Sequence, residues 1–192
     1  MHPEFAAIGG SIKNGSTRTT ADWANFLTTF APFIAPIDLV KTDWVPPPAN
    51  VSFKRHAIPS GKIGPGEIEF VIKPRLQKEK SIGIDNRIVV SHIQSRSLLE
   101  SVITYFPNGR STSGLIASQL SREARHRRLS HCFRLPRAIV RNVTEPLAGK
   151  AFVEEPLRGA LPAIWLLAIC HAAGEFCGLA FGTAGSSPLR LE

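Results

Sequence analysis

Residues 44–56, WVPPPANVSFKRH, and residues 66–92, GEIEFVIKPRLQKEKSIGIDNRIVVSH, decide how this chain is read. The Pro46-Pro47-Pro48 run forces an extended approach to Ala49-Asn50, and Val51-Ser52-Phe53 then alternates like a short strand. Ser60 to Gly66 is a loop by composition and lacks the glycine and lysine spacing of a phosphate-cradling P-loop. From Glu67 to Lys80 the apolar spacing through Phe70, Val71 and Leu76 predicts a helix, broken or kinked at Pro74. Ile82 to Val90 follows as a strand into Ser91-His92. Three polar groups thus come from three kinds of element: the Asn50 amide from a turn, the Glu67 and Glu69 carboxylates from a helix start, the His92 imidazole from a strand end. They are expected to line one polar cleft.

Upstream, Phe5 to Ile12 is short and apolar and contains Gly9-Gly10, so it reads as a strand whose glycines let another backbone or a ligand come close. Asn14-Gly15-Ser16 turns it. Between Thr20 and Phe33 the residues Trp23, Phe26, Leu27, Phe30 and Phe33 recur at spacings of three and four, which is one helical stripe, with Thr19 or Thr20 as its cap. Core packing is the plain reading of these aromatics; sugar stacking by Trp23 is the functional one.

Downstream, Ser97 to Leu120 is helical with an interruption expected at Pro107-Asn108-Gly109. A basic run follows, holding Arg122, Arg125, Arg127, Arg128, Arg134, Arg137 and Arg141. It reads as a solvated face or as a contact to phosphate or a membrane surface. Nucleic acid is disfavoured as partner, because only Phe133 is interleaved for base stacking. Leu161 to Gly182 is a last helix with His171 and Glu175 as polar interruptions, four apart and so able to partner each other. It has the roughly 20 apolar residues that a membrane span needs. A central Glu opposes spanning by about 2.5–3.5 kcal/mol unless neutral or paired. The GxxxG repeat of Gly174, Gly178 and Gly182 permits close helix packing in a membrane or in a core.

Composition sets the bounds. The 192 residues with 43% hydrophobic content suffice for a folded core, and 23 Lys and Arg against 15 Asp and Glu give +8. That charge favours anionic partners. Cys132, Cys170 and Cys177 form neither a disulfide framework nor a metal-ligand spacing and read as reduced structural thiols. The start, MHPEFAAIGGSIKNG, lacks the basic and apolar regions of a secretory signal, so the sequons at Asn14, Asn50 and Asn142 read as chance.

With these pieces in order, the chain resembles the carboxy-terminal half of bacterial family 2 glycosyltransferases of the GT-A fold. EFAAIGGSIKNGS looks like the strand after the metal-binding turn. WVPPPANVSFKR resembles the Gly-x-Asn-x-(aromatic)-Arg segment, with Asn50 and Arg55 in register. EFVIKPRL and IGIDNRIVVSH resemble the acidic helix and closing strand, and HAAGEFCGLAFG the Ala-x-Gly-Glu-x-x-Gly helix of members with a hydrophobic tail. The implied fold is α/β: an incomplete GT-A type sheet, its acceptor-side half, over residues 1–95, and a mainly helical extension over 96–192.

The implied reaction is inverting transfer of a sugar from a nucleotide-diphosphate sugar to an acceptor hydroxyl. Glu69 is the expected base, with Glu67 second; Asn50, Arg55, Gly10 and Trp23 are expected to contact substrate and His92 the metal. The family uses a divalent cation, Mg or Mn. None of Asp22, Asp38, Asp43 and Asp85 forms the family's Asp-x-Asp pair, and the nucleotide-holding region has no counterpart in this sequence. The chain alone is therefore expected not to bind the cation and to be a poor catalyst, through truncation, a split gene or a shifted start. Pro48 also stands where the family has Gly. The other reading is a non-catalytic remnant that binds a membrane surface or a partner. In either case the expected place is cytoplasmic, at the inner face of the plasma membrane, with contact through the last helix.

Overall fold

A computed structural model describes residues 4–37, 48–58, 72–79, 81–117 and 119–183. In chain order the elements are β1 (Ala7–Asn14), α1 (Thr20–Phe30), β2 (Val51–Phe53), α2 (Lys73–Lys78), β3 (Ile82–His92), α3 (Leu98–Ala117), α4 (Arg122–Cys132), α5 (Leu135–Thr144) and α6 (Ala151–Phe181). Short 3-10 turns lie at Ala31–Phe33, Pro48–Asn50, Arg55–Ala57 and Glu145–Leu147. The chain is α/β; the described residues form a small mixed sheet and are mostly helical. It divides into a sheet unit, Met1–Gly15 with Pro32–Ile93, and a helical unit, Ser16–Ala31 with Gln94–Glu192.

In the sheet unit the strand order is β2-β1-β3. β1 is the central strand, and its near-continuous burial from Ala7 to Ile12 explains its apolar, glycine-containing sequence. β2 pairs with it antiparallel, Ala7 opposite Phe53, and β3 pairs with it parallel, Ala7 opposite Ile82. The parallel ladder is broken once. Gly10 pairs with Asp85 but Ser11 with Val89, so residues 86–88 are extra on β3 and bulge from it. The core behind this sheet is Ala7, Ala57, Ile72 and Leu76, joined by Val51 and Phe53. α2 begins at Lys73, so Pro74 stands in its first turn, where a missing N–H costs nothing. The rest of the helix expected from Glu67, with Glu67 and Glu69 themselves, lies outside the described residues.

The helical unit is arranged around α6, against which α3, α1, α5 and α4 all pack. α1 opens with a capping box: the Asp22 N–H donates to Thr19 Oγ1 at 3.1 Å, and the Thr19 N–H to Asp22 Oδ2 at 2.9 Å. α3 opens with another, Ser97 with Glu100. A buried polar link ties α1 to α3, with Asn25 Nδ2 donating to Ser101 Oγ at 2.7 Å and Ser101 Oγ donating to the Ser97 carbonyl at 2.8 Å. Each donor is satisfied, so the burial of these groups is not penalised. α3 and α6 meet through glycine. A Cβ at Gly109 would lie 2.3 Å from the His171 carbonyl oxygen, at Gly174 2.1 Å from that of Phe106, and at Gly178 2.3 Å from that of Arg110. Gly182, the third glycine of the repeat, instead ends α6 at φ 76°.

Three helix boundaries differ from the sequence reading, for physical reasons. α3 runs through Pro107 without interruption: the carbonyl deprived of its partner is that of Ile103, an exposed residue, and water can serve it. α6 starts ten residues before Leu161, at Ala151, although Pro156 and Pro162 lie inside it. Their orphaned carbonyls belong to Phe152 and Arg158, both exposed. α1 ends at Phe30 and tightens into a 3-10 turn through Phe33, rather than staying α-helical.

The glycine contact carries a prediction. Gly174→Ala, despite the better helix propensity of alanine, should destabilise by about 2 kcal/mol because two backbones must separate. Gly159→Ala, on the open side of the same helix with nothing within 4 Å of the new Cβ, should stabilise by up to about 1 kcal/mol. Urea unfolding of both variants measures the two signs.

Candidate functional site

Three segments distant in sequence, β1, the turn before β2, and β3, converge at the bulge of β3. Gly10 of β1 faces it at the shortest range: a Cβ at residue 10 would lie 2.0 Å from the Ile88 carbonyl oxygen and 2.6 Å from the Ile88 Cβ. Only glycine leaves room for that carbonyl. Asn50, at the end of its 3-10 turn and 9% exposed, donates from Nδ2 to the carbonyls of Ser11 at 2.9 Å and Ile88 at 3.4 Å. The side-chain amide thereby fastens the turn before β2 to both strands where their ladder is interrupted. On the other side of the bulge, the Ile37 N–H donates to Asn86 Oδ1 at 2.9 Å and Asn86 Nδ2 to the Ile37 carbonyl at 3.1 Å. Asp85 closes the local turn by accepting from the Arg87 N–H at 2.9 Å. Beside Gly10, the Ser11 hydroxyl is fully buried and has no hydrogen-bond partner among the described residues.

Of the residues expected to contact substrate, Gly10 and Asn50 lie together at the bulge. His92 is on the same strand pair but further along, opposite Asn14, where its carbonyl accepts from the Gly15 N–H at 2.8 Å. Arg55 is at the other end. β2 runs antiparallel to β1, the Lys54 N–H donates to the Ala6 carbonyl, and Arg55 follows it into an exposed 3-10 turn. The length of β1 between these ends is about 23 Å at the usual rise per residue. Arg55 and His92 therefore do not share one polar cluster within this sheet. Trp23 belongs to the helical unit, where it stacks edge-on against Phe26 at 6.3 Å and is half-buried. Glu67 and Glu69 lie outside the described residues. Among those that are described, no group of three or more His, Cys, Asp or Glu side chains is arranged to hold a metal ion, so His92 is not joined by a ligand set.

In the helical unit the expected pair forms: His171 Nε2 lies 3.2 Å from Glu175 Oε1. That hydrogen bond is the main reason the Glu175 carboxyl is held below its ordinary range, with smaller help from the Ser113 hydroxyl and Arg128, while burial opposes the shift. All three thiols are free, and burial pushes those of Cys132 and Cys170 up.

The basic run divides its labour in a way that the sequence reading missed. Arg125 turns inward, donating from Nε to the Leu179 carbonyl and from Nη2 to the Ala180 carbonyl at 2.8 Å, so it serves the last carbonyls of α6. Arg110 adds a bond to the Gly182 carbonyl at 3.3 Å. Arg127 pairs with Glu123, and Arg141 with Glu145 at 3.5 Å. Arg134 and Arg137 form no ion pair among the described residues and are exposed.

No protein-family profile, curated protein or solved structure matches the chain.

Two outcomes follow from this geometry. If the Asn50 amide acts as a donor to two backbone carbonyls, Asn50→Ala should cost about 1–3 kcal/mol. Asn50→Asp should cost more, since a carboxylate then faces carbonyl oxygens; chemical denaturation orders the three proteins. A carboxyl with a depressed folded pKa contributes stability that is present above its unfolded value and lost as pH falls through the folded one. Wild type should therefore exceed Glu175→Gln in stability at neutral pH, and the margin should shrink as pH drops below about 4.3. Thermal melts across that range measure it.

Proposed function

We propose that this chain is the acceptor-side part of a family 2-like glycosyltransferase of GT-A type, transferring a sugar with inversion from a nucleotide-diphosphate donor to an acceptor hydroxyl. One observation supports it most. The strand EFAAIGGSIKNGS, the turn carrying Asn50 and the strand ending in His92, each recognised separately in sequence, gather in one mixed sheet, with Asn50 and Gly10 at its single irregularity. Beside them the Ser11 hydroxyl is buried and has no hydrogen-bond partner among the described residues.

In this reading the acceptor oxygen attacks the anomeric carbon as the bond to the diphosphate breaks, and the diphosphate leaves with the bonding electron pair. Glu69 accepts the hydroxyl proton as the new bond forms. In the family a divalent cation would supply charge neutralisation for a departing diphosphate; the described residues offer no ligand set for one, and nothing in the role given to Glu69 requires it. The reading assigns the donor and its cation to a partner half carrying the Asp-x-Asp pair.

A second reading, a non-catalytic protein of the membrane surface, is favoured by a different observation. α6 is long and apolar enough to cross a membrane, at a mean hydropathy of 1.7 over its best window, and exposes Trp165, Leu166 and Ile169. The same helix is also buried along one face as the core of its unit.

Joining the chain to the donor-side half of a family 2 enzyme separates the two. The transferase reading expects sugar transfer from the joined protein, and a fall in kcat of about 100- to 10,000-fold in Glu69→Gln with an unchanged melting curve. Absence of transfer, or full turnover in Glu69→Gln, contradicts it.

A further inference from the structure

The corner between α4 and α5 carries two adjoining recesses of opposite chemistry, the first of them shared with the outward row of α6. The first, about 390 Å³, is apolar and is lined by Cys132, Phe133, Pro136, Ile169, Ala173 and Phe176 among others. The second, about 540 Å³, is lined by Phe133, Arg134, Arg137, Ala138 and Arg141. Phe133 is common to both. It is 80% exposed, a costly placement for a phenyl ring that nothing covers, and is steadied by an edge-on contact with Phe176 at 6.0 Å.

Neither recess is lined by an acidic residue. Arg134 and Arg137 have no carboxylate partner among the described residues, and Arg141 is held only by an exposed pair with Glu145, of a kind that contributes little. The spacing of 134, 137 and 141 puts the three guanidinium groups on one helix face. Beside them the exposed row Trp165, Leu166 and Ile169 continues along α6 to Ala173. Toward the amino end of α6 the surface becomes charged, with Glu154, Glu155 and Arg158 exposed alongside Phe152. From Trp165 to Cys177 the outward apolar length is about 18 Å, short of the roughly 30 Å hydrocarbon thickness. The opposite face of α6 is already covered by α3 and α1.

From this we infer that the α4–α5 corner and the outer half of α6 form a docking seat for an anionic phospholipid surface. Phosphates bind Arg134 and Arg137, and acyl chain enters the apolar recess around Phe133. Charge complementarity selects the occupant: uncompensated arginines at the rim of an apolar recess match a layer with phosphate above hydrocarbon. A protein partner of purely apolar surface would leave those charges unanswered. A nucleic acid would leave the apolar recess unanswered. The inference deepens the membrane-contact reading above and holds whether or not sugar is transferred, since vesicle binding is measured without donor or acceptor.

The test uses the full chain with vesicles of phosphatidylcholine alone or mixed with phosphatidylglycerol, at physiological ionic strength. Flotation should show binding to the mixed vesicles only. Arg134→Gln with Arg137→Gln should weaken it about 30-fold. Phe133→Ser should weaken it as well, and Arg158→Gln, outside the seat on the same unit, should leave it unchanged. These side chains are exposed, so matching thermal melts should accompany the losses. Brominated acyl chains should quench tryptophan emission in wild type, with the quenching lost in Trp165→Phe. Equal binding to neutral vesicles, an Arg158→Gln effect as large as that of the double variant, displacement by inorganic phosphate at matched ionic strength, or displacement by a single-stranded RNA each overturns the inference.

Discussion

The carbonyl oxygen of Ile88 occupies the space that a side chain at residue 10 would need. That single contact sets the geometry of the sheet unit. It forces glycine into the central strand, marks where the parallel ladder of β1 and β3 loses its register, and leaves two carbonyls, of Ser11 and Ile88, that the Asn50 amide then satisfies. A polar turn is held against a buried strand because the strand has an irregularity that needs donors. The helical unit relies on the same physics in another form: Gly109, Gly174 and Gly178 let α3 and α6 approach until backbone meets backbone. Close approach multiplies dispersion contacts and leaves little tolerance for an added methyl group.

Charge is distributed by a comparable logic. An excess of eight positive charges does not make a uniform surface, because each arginine of the basic run meets a different local demand. Arg125 is spent on the carbonyls that end α6, where a cation is favoured by the helix dipole. Arg127 and Arg141 have acidic neighbours one turn away. Arg128 acts at longer range on Glu175. Of the remaining Arg122, Arg134 and Arg137, the last two line a recess beside the exposed Phe133 with no ion pair among the described residues, and on the inference above they select an anionic ligand.

Elements with a single strong period were readable from sequence: α1 from its aromatic stripe and Thr19 cap, β1 and β3 from short apolar runs, and the His171–Glu175 pair from a spacing of four. One proline was misread and one helix start was placed late. An interruption was expected at Pro107, but the carbonyl it orphans belongs to exposed Ile103, so α3 continues through it; the last helix was expected from Leu161 and begins at Ala151, with Pro156 inside it. Asn50 and Gly10 were singled out, yet their meeting at residues 86–88 depends on a strand register that no local pattern encodes. Arg55 was expected to contact substrate and His92 the metal; the antiparallel direction of β2 and the parallel pairing of β3 send them to opposite ends of β1. The seat at Phe133 was invisible for a similar reason, since it exists only once the α4–α5 corner packs on α6.

The proposed function makes one central claim: that a sugar hydroxyl is received at the Gly10 bulge, beside the Asn50 amide and the Ser11 hydroxyl. Amide-resolved NMR of the full chain, titrated with simple methyl glycosides as acceptor probes, tests it most directly. The account predicts concentration-dependent shifts clustered on Gly10, Ser11, the Asn50 side-chain amide and Ile88. Shifts confined to the helical unit, or none at any residue of the bulge, would contradict it.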